Sequence, residues 1–221
     1  MTSAGRKAGR PTAARLRARG DGRTLIASTA LKAFSEYGFH RVSIRDIARD
    51  ADVSLSTLYH YYPSKQELLY ALLRNGIDEN RRICGAALGA AGDDPLARFD
   101  ALVGATIEYL AYHRIESNLM RNELRNLDTE LQDKLSLPQE DASAVMTEII
   151  TAGMETGIFA TPYPDDARRS VFSMCSSITS WYDPDGPVPL EDLIVRYQCL
   201  ARTLVSYRPP VASQESLDRN S

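Results

Sequence analysis

Between Arg23 and Tyr37 the positions Leu25, Ile26, Thr29, Ala30, Ala33, Phe34 and Tyr37 recur at three- and four-residue intervals, the spacing of one helix face. Gly38 follows, a residue at which a helix can turn left-handed and stop. Ser43 is then an N-cap with Asp46 three positions on, and Ile44, Ile47 and Ala48 supply the inward face of a short helix ending near Asp50. A second cap stands at Ser54, with Leu58, Tyr61 and Tyr62 turned inward after it. Between the two lies Ala51-Asp52-Val53, in which Asp52 suits the left-handed region better than most non-glycine residues. Two short helices joined by such a turn predict a helix-turn-helix.

From Lys65 onward the pattern stays helical and no segment alternates as a strand would. Asp94-Pro95 starts a helix with Leu96, Phe99, Leu102, Val103, Thr106, Ile107 and Leu110 on one face. Further helices are predicted over Ser117–Leu127, from Pro138 to a stop at Gly157, over Pro164–Tyr182 and over Pro189–Val205. The turn Asp183-Pro184-Asp185-Gly186-Pro187 separates the last two. The expected class is therefore all-α, with a three-helix helix-turn-helix domain over 23–68 and a helical body over 69–208. A disordered basic arm (1–22) and a polar, frayed tail (209–221) flank them.

Composition narrows the function classes. With 221 residues, 43% hydrophobic and 25% charged, the chain reads as an ordinary globular protein long enough to bury a sizeable core. No apolar run approaches the ~20 residues of a spanning helix, and no apolar stretch follows the basic N-terminus as a secretory signal requires. Cys84, Cys175 and Cys199 are odd in number and widely spaced, so they read as small buried hydrophobes in a reducing compartment, the cytoplasm, rather than as disulfides or metal ligands. There is no Gly-rich phosphate loop, no G-x-S-x-G elbow, and His40, His60 and His113 are far apart. An enzyme, a metal site and a cofactor are not expected.

Charge changes the picture more. Residues 1–62 hold 11 lysines and arginines against 5 acids, a balance of +6, and the rest of the chain carries −9. A basic module joined to an acidic body points to a polyanion partner. Double-stranded DNA fits, because the second helix of a helix-turn-helix enters the major groove with its N-terminal residues facing base edges. On that helix Leu55, Ser56, Thr57, Tyr59 and His60 are free of core duty, and their hydroxyl, aromatic and imidazole groups suit phosphates, base edges and thymine methyls. No arginine or asparagine is there for bidentate base reading, so DNA shape and the arm must contribute to specificity. Lys65, at the start of the next helix, and Arg45 are further phosphate candidates.

The stretch ALKAFSEYGFHRVSIRDIARDADVSLSTLYHYYPSKQELL, Ala30–Leu69, resembles the N-terminal domain of the tetracycline-repressor (TetR) family of bacterial regulators. The shared elements are F-x-E-x-G-F at Phe34–Phe39, Ile47-Ala48, V-S-x-x-T-L-Y-x-Y at Val53–Tyr61 and S-K-x-E-L at Ser64–Leu68. Asp52 and Ser56 stand where glycine is common, and Tyr62 where phenylalanine is. Carried over by position, the resemblance implies phosphate contacts at Ser43, Thr57, Tyr59, Tyr61 and Lys65 and base reading at Leu55, Ser56 and His60. In the arm, Ala8-Gly9-Arg10-Pro11 resembles half of an AT-hook.

The last two predicted helices carry more apolar surface than one bundle needs, and a twofold four-helix bundle would bury it. Ile178, Leu190, Leu193, Ile194, Tyr197, Leu200 and Leu204 are the expected homodimer interface, and these helices form the interface in the family too. The resemblance also implies an effector pocket, for which Phe99, Tyr109, His113, Asn118, Arg121, Asn122, Met146, Met154 and Trp181 are the candidate lining. Asn122–Asp128 and Ser180–Gly186 resemble a subgroup that responds to acyl-coenzyme A thioesters, with Arg114, Arg121 and Arg125 as cations for an anionic effector. The expected function is a homodimeric, ligand-responsive repressor on a palindromic operator. The rival is an architectural DNA-binding protein without an effector.

Overall fold

Long runs free of proline and strand alternation leave helix as the way to satisfy the backbone, and the computed structural model, which describes residues 13–136 and 142–209, is helical throughout. Its α-helices are α1 (Ala13–Tyr37), α2 (Ile44–Asp50), α3 (Leu55–Tyr61), α4 (Lys65–Ala91), α5 (Pro95–Tyr112), α6 (Arg114–Glu123), α7 (Thr129–Ser136), α8 (Ala142–Glu155), α9 (Pro164–Ser176) and α10 (Leu190–Leu204). Single 3-10 turns at Leu124–Asn126 and Ser177–Ser180 extend α6 and α9. Among the described residues there is no strand, and no helix is long and apolar enough to cross a membrane.

Three boundaries differ from the sequence expectation. Helix α1 begins at Ala13 rather than near Arg23, so part of the expected arm is helical; Ala13, Ala14, Leu16 and Ala18 are strong helix formers. The AT-hook-like Ala8–Pro11 lies outside the described residues, as do Pro138 and the tail from residue 210. Helix α7 was not anticipated. The predicted helix ending at Tyr182 stops earlier, where Ser177–Ser180 tightens into a 3-10 turn.

The chain divides into two compact units, one within Met1–Arg74 plus Asn118–Leu135, the other Asn75–Ser117 plus residues within Ser136–Ser221. The first thus recruits a segment that sequence reading gave to the body. Its buried residues include Ile26, Ala30 and Phe34 at four-residue spacing on α1, Ile47 and Ala48 on α2, Leu58 on α3, Leu68, Leu69, Leu72 and Leu73 on α4, and Leu119, Leu127, Leu131 and Leu135. Leu25 and Tyr37, counted on the same α1 face from the sequence, are exposed.

In the second unit α5 is central, packing against α8, α9 and α10. Phe99 lies fully buried with its ring 5.2 Å from that of Phe159. A Cβ on Gly153 would fall 2.0 Å from Phe159, so only glycine lets α8 accept that ring. Gly104 serves the approach of α5 to α10, where a Cβ would meet Ile194 and Gln198 at 3.3 Å. Gln198 donates to the Asp100 carbonyl at 2.9 Å, and Arg202 donates from Nε (2.9 Å) and Nη2 to the Asp100 carboxylate. Burial pushes the Cys175 thiol up to about 12, which makes it an inert core group. Cys199, by contrast, is exposed and not the buried hydrophobe expected of it.

Candidate nucleic-acid interface

Helices α2 and α3 are too short to persist by propensity and are set by their ends. Ser43 caps α2: its hydroxyl accepts from the Asp46 amide at 3.2 Å, while the Asp46 carboxylate accepts from the Ser43 amide at 3.2 Å and its hydroxyl at 2.5 Å. Those Ser43 bonds, aided by Arg49, hold the Asp46 carboxyl below the usual aspartate range. The chain leaves α2 through Asp52 at φ +50°, the left-handed residue anticipated for the turn, with the Val53 amide donating to Ala48 O at 3.0 Å. Ser54 then caps α3 by accepting from the Thr57 amide at 3.0 Å.

This frame divides α3 into two faces. Leu58 is fully buried, whereas Leu55, Ser56, Tyr59 and His60 are exposed; they form two i,i+4 pairs, 55/59 and 56/60, on the outer side. Arg45 is likewise exposed on α2. The other candidates are engaged. The Thr57 hydroxyl lies 2.8 Å from Ser54 Oγ, and the Ser43 hydroxyl sits in the capping box. Tyr61 is half-buried, its ring edge-on to His60 at 5.2 Å. Arg49 is held by Asp46 and Asp50, each at 2.9 Å.

Lys65 departs most from a solvent-facing phosphate contact. Its ammonium lies 4.1 Å from the centre of the Phe39 ring, a cation–π contact, and 5.9 Å from that of Phe34. Burial lowers its pKa, and the Glu123 carboxylate opposes that shift. Glu123 is itself 9% exposed and accepts from Asn126 Nδ2 at 2.5 Å. Around it runs a set of bonds between segments remote in sequence. His40 Nε2 lies 3.0 Å from Asn126 Oδ1, Gln66 Nε2 donates to the Asn126 carbonyl at 2.9 Å, and the Asp128 amide donates to Gln66 Oε1 at 3.2 Å. Sequence reasoning missed His40, Gln66, Glu123 and Asn126, because nothing local pairs residues 86 positions apart.

The effector candidates are divided between the two units. Phe99 and Met146 are fully buried packing residues. Tyr109 donates to the Gly76 carbonyl at 2.9 Å, and burial raises its pKa to about 12. His113 stacks on that ring at 4.8 Å with Nδ1 3.9 Å from Glu116. Met154 and Trp181 are exposed, and Asn118, Arg121 and Asn122 belong to the other unit. Arg125 is exposed, while Arg114 donates to the Thr179 carbonyl at 3.2 Å.

Of the expected interface residues, Ile178, Leu193 and Tyr197 face their own core, and Leu190 and Ile194 pack half-buried against it. Leu200 and Leu204 are exposed, joined by Val195 and Cys199, which the sequence reading did not select. The inward face of α10 is Leu193, Tyr197 and Ala201, spaced four apart.

Residues 26–72 match the profile of bacterial regulatory proteins of the tetR family, and residues 92–205 that of the tetracyclin repressor-like C-terminal domain. The transcriptional repressor KstR2 of Mycobacterium tuberculosis is 25% identical over 183 residues, 78% of this chain and 86% of KstR2. A tetR-family regulatory protein from Rhodococcus RHA1 superposes with a TM-score of 0.74 at 25% identity, over 85% of this chain and 98% of that one. AibR, solved in complex with isovaleryl coenzyme A and operator DNA, shares the fold with a TM-score of 0.72 at 20% identity, over 85% and 100% of the two chains.

Proposed function

Because the chain belongs to the tetR family of bacterial regulatory proteins, we propose that it acts in the cytoplasm as a homodimeric, ligand-responsive repressor that reads a palindromic operator with α3. The observation that carries the reading is the exposed quartet Leu55, Ser56, Tyr59 and His60 on a helix capped by Ser54 and aimed by the left-handed turn at Asp52. Leu55, Ser56 and His60 supply base-edge and thymine-methyl contacts, and Tyr59, Arg45, Thr57, Tyr61, Ser43 and Lys65 hold phosphates. One helix-turn-helix reads half a palindrome, so the operator demands two copies. The outer face of α10, with Val195, Leu200 and Leu204, is apolar surface that a second copy would cover.

The effector we propose is a small hydrophobic molecule or an acyl-coenzyme A thioester. Support comes from the apolar body around α5 and from the fold shared with AibR, whose own complex holds isovaleryl coenzyme A. The effector acts by population shift: it binds better to a state whose two reading helices are wrongly spaced for successive major grooves. Typical coupling is ~1–3 kcal/mol, which weakens operator binding by roughly 5- to 150-fold.

Sequencing of genomic fragments retained by the purified protein tests the reading. A sharp palindrome at a few promoters is expected, released when acyl-coenzyme A thioesters of increasing chain length are added. Broad retention without a motif would instead establish the architectural protein.

A further inference from the structure

Within the first unit, segments remote in sequence meet at one residue, Asn126. Its Nδ2 donates to Glu123 Oε2 at 2.5 Å, its Oδ1 lies 3.0 Å from His40 Nε2, and its carbonyl accepts from Gln66 Nε2 at 2.9 Å. A carboxylate only accepts, so Nδ2 is the amide atom turned to Glu123, Oδ1 is left for His40, and the His40 ring must carry a proton on Nε2. Gln66 is fixed as firmly. Its Oε1 accepts from the Asp128 amide at 3.2 Å, so both edges of its side-chain amide are spent on the backbone of residues 126 and 128.

These bonds hold the approaches to two helix starts. His40 lies in the loop between α1 and α2, three residues before the cap Ser43, and Gln66 follows Lys65 in the first turn of α4. Loop and helix start also touch directly, since the Lys65 ammonium lies 4.1 Å from the centre of the ring of Phe39, the neighbour of His40. We propose that Asn126 is a positioning residue for DNA binding: through His40 and Gln66 it fastens the α1–α2 loop and the first turn of α4 to one frame, and so sets where Lys65 stands relative to Ser43. This rests on the reading of Ser43 and Lys65 as phosphate contacts. Phosphates follow one another along a duplex at a fixed spacing, so two helix starts hold two of them at one separation only. Leu68 and Leu69, fully buried, anchor α4 a turn further on, but apolar burial has no direction and does not set the first turn. The hydrogen bonds of Gln66 and His40 do, because each demands its own distance and angle.

Salt dependence counts the phosphates held, each adding ~0.9 to the slope of log K against log salt for duplex DNA. In anisotropy titrations of the full-length protein against mixed-sequence duplex DNA, Lys65→Ala is expected to make that slope shallower by ~0.9 and to weaken binding roughly eightfold at 0.1 M salt. Asn126→Ala is expected to approach the same loss with Lys65 still in place, and to add nothing in the Lys65→Ala background. His40→Ala should lose part of it, and His40→Gln, whose amide N–H can replace Nε2–H, should recover that part. A loss of stability that leaves the protein folded does not move the slope, which separates positioning from support of the fold; melting midpoints are measured alongside. An unchanged slope in Asn126→Ala, with the loss in Lys65→Ala present, overturns the proposal and leaves the phosphate contact standing. A Lys65→Ala protein that binds like the unmodified one overturns both. A further loss from Asn126→Ala in the Lys65→Ala background overturns the proposal, because the effect then does not run through Lys65. Should Asn126→Ala fail to fold, the exposed His40 decides: no loss in His40→Ala, or no recovery in His40→Gln, overturns the proposal.

Discussion

Helices α3 and α10 both present one face inward and one outward, yet they are held by different forces. Helix α3 has 7 residues and one fully buried side chain, Leu58, and it stands because Ser54 caps it and Asp52 turns the chain into it. Helix α10 has 15 residues and no side-chain cap, and it stands because Leu193, Tyr197 and Ala201 enter a core and Arg202 grips Asp100. A surface proposed to meet DNA can spare few side chains for burial, so local hydrogen bonds set its geometry. A helix that encloses a body is fixed by apolar area. The two units should therefore fail by different routes.

The largest effect is expected in the body. Phe99→Ala removes a fully buried ring in contact with Phe159 and should destabilise by ~3–5 kcal/mol. Gly153→Ala attacks the same place by overpacking, since its methyl would have to displace the Phe159 ring, and ~1–3 kcal/mol is expected. Urea unfolding followed by far-UV circular dichroism measures both. A loss below ~1 kcal/mol in each would mean that α8 can move away from the ring and that the core is looser than the distances imply.

Next comes the exposed side of α3. Tyr59→Ala touches no core residue by burial, so the melting midpoint should not move while operator affinity falls roughly tenfold, ~1.4 kcal/mol. Electrophoretic mobility shift against the selected operator reads the affinity. A variant that binds DNA normally, or that melts early, would remove Tyr59 from the reading surface.

Smaller still is the cap. Ser43→Ala breaks the α2 capping box and should lower stability by ~1 kcal/mol. Because α2 supports α3, operator affinity should fall with it, whereas Ser43→Asn, an equally good cap that brings no second negative charge against Asp46, should restore the stability. Restoration of stability without restoration of binding would assign the Ser43 hydroxyl to a phosphate rather than to the helix alone.

This division also explains what could be read in advance. Ser43, Asp46, Asp52 and Ser54 act on neighbours within a few positions, so α2, the turn and α3 were legible from residue order alone. Periodicity found the apolar side of α10 but could not say which part of it faces its own core; Leu193 and Tyr197 do, and Leu200 and Leu204 do not. Helix α7 left a trace in Leu127, Leu131 and Leu135, spaced four apart and hidden by the surrounding polar residues. The inward turn of Lys65 and the bonds joining His40 and Gln66 to Asn126 left none, because each depends on segments that only tertiary folding brings together.

The smallest effect tests how local the α2 cap is. Asp46 has its pKa lowered chiefly by the Ser43 hydroxyl and amide, then by Arg49. A carboxylate depressed in the folded state contributes its stability fully above the unfolded value, about 3.9, and loses it as pH falls through the lower folded value. The window therefore lies in acid, below about pH 4, and nothing should change between neutrality and pH 5. Protonation removes the charge but leaves the Ser43 hydroxyl able to accept from the Asp46 amide, so α2 should loosen rather than melt. Carboxyl carbon NMR shifts of Asp46 should titrate below the ordinary aspartate midpoint, and Ser43→Ala should return that midpoint toward normal. A midpoint at or above the ordinary value in the unmodified protein would show that the reciprocal bond is absent in solution, and that α2 depends on burial of Ile47 and Ala48 as the body helices depend on theirs.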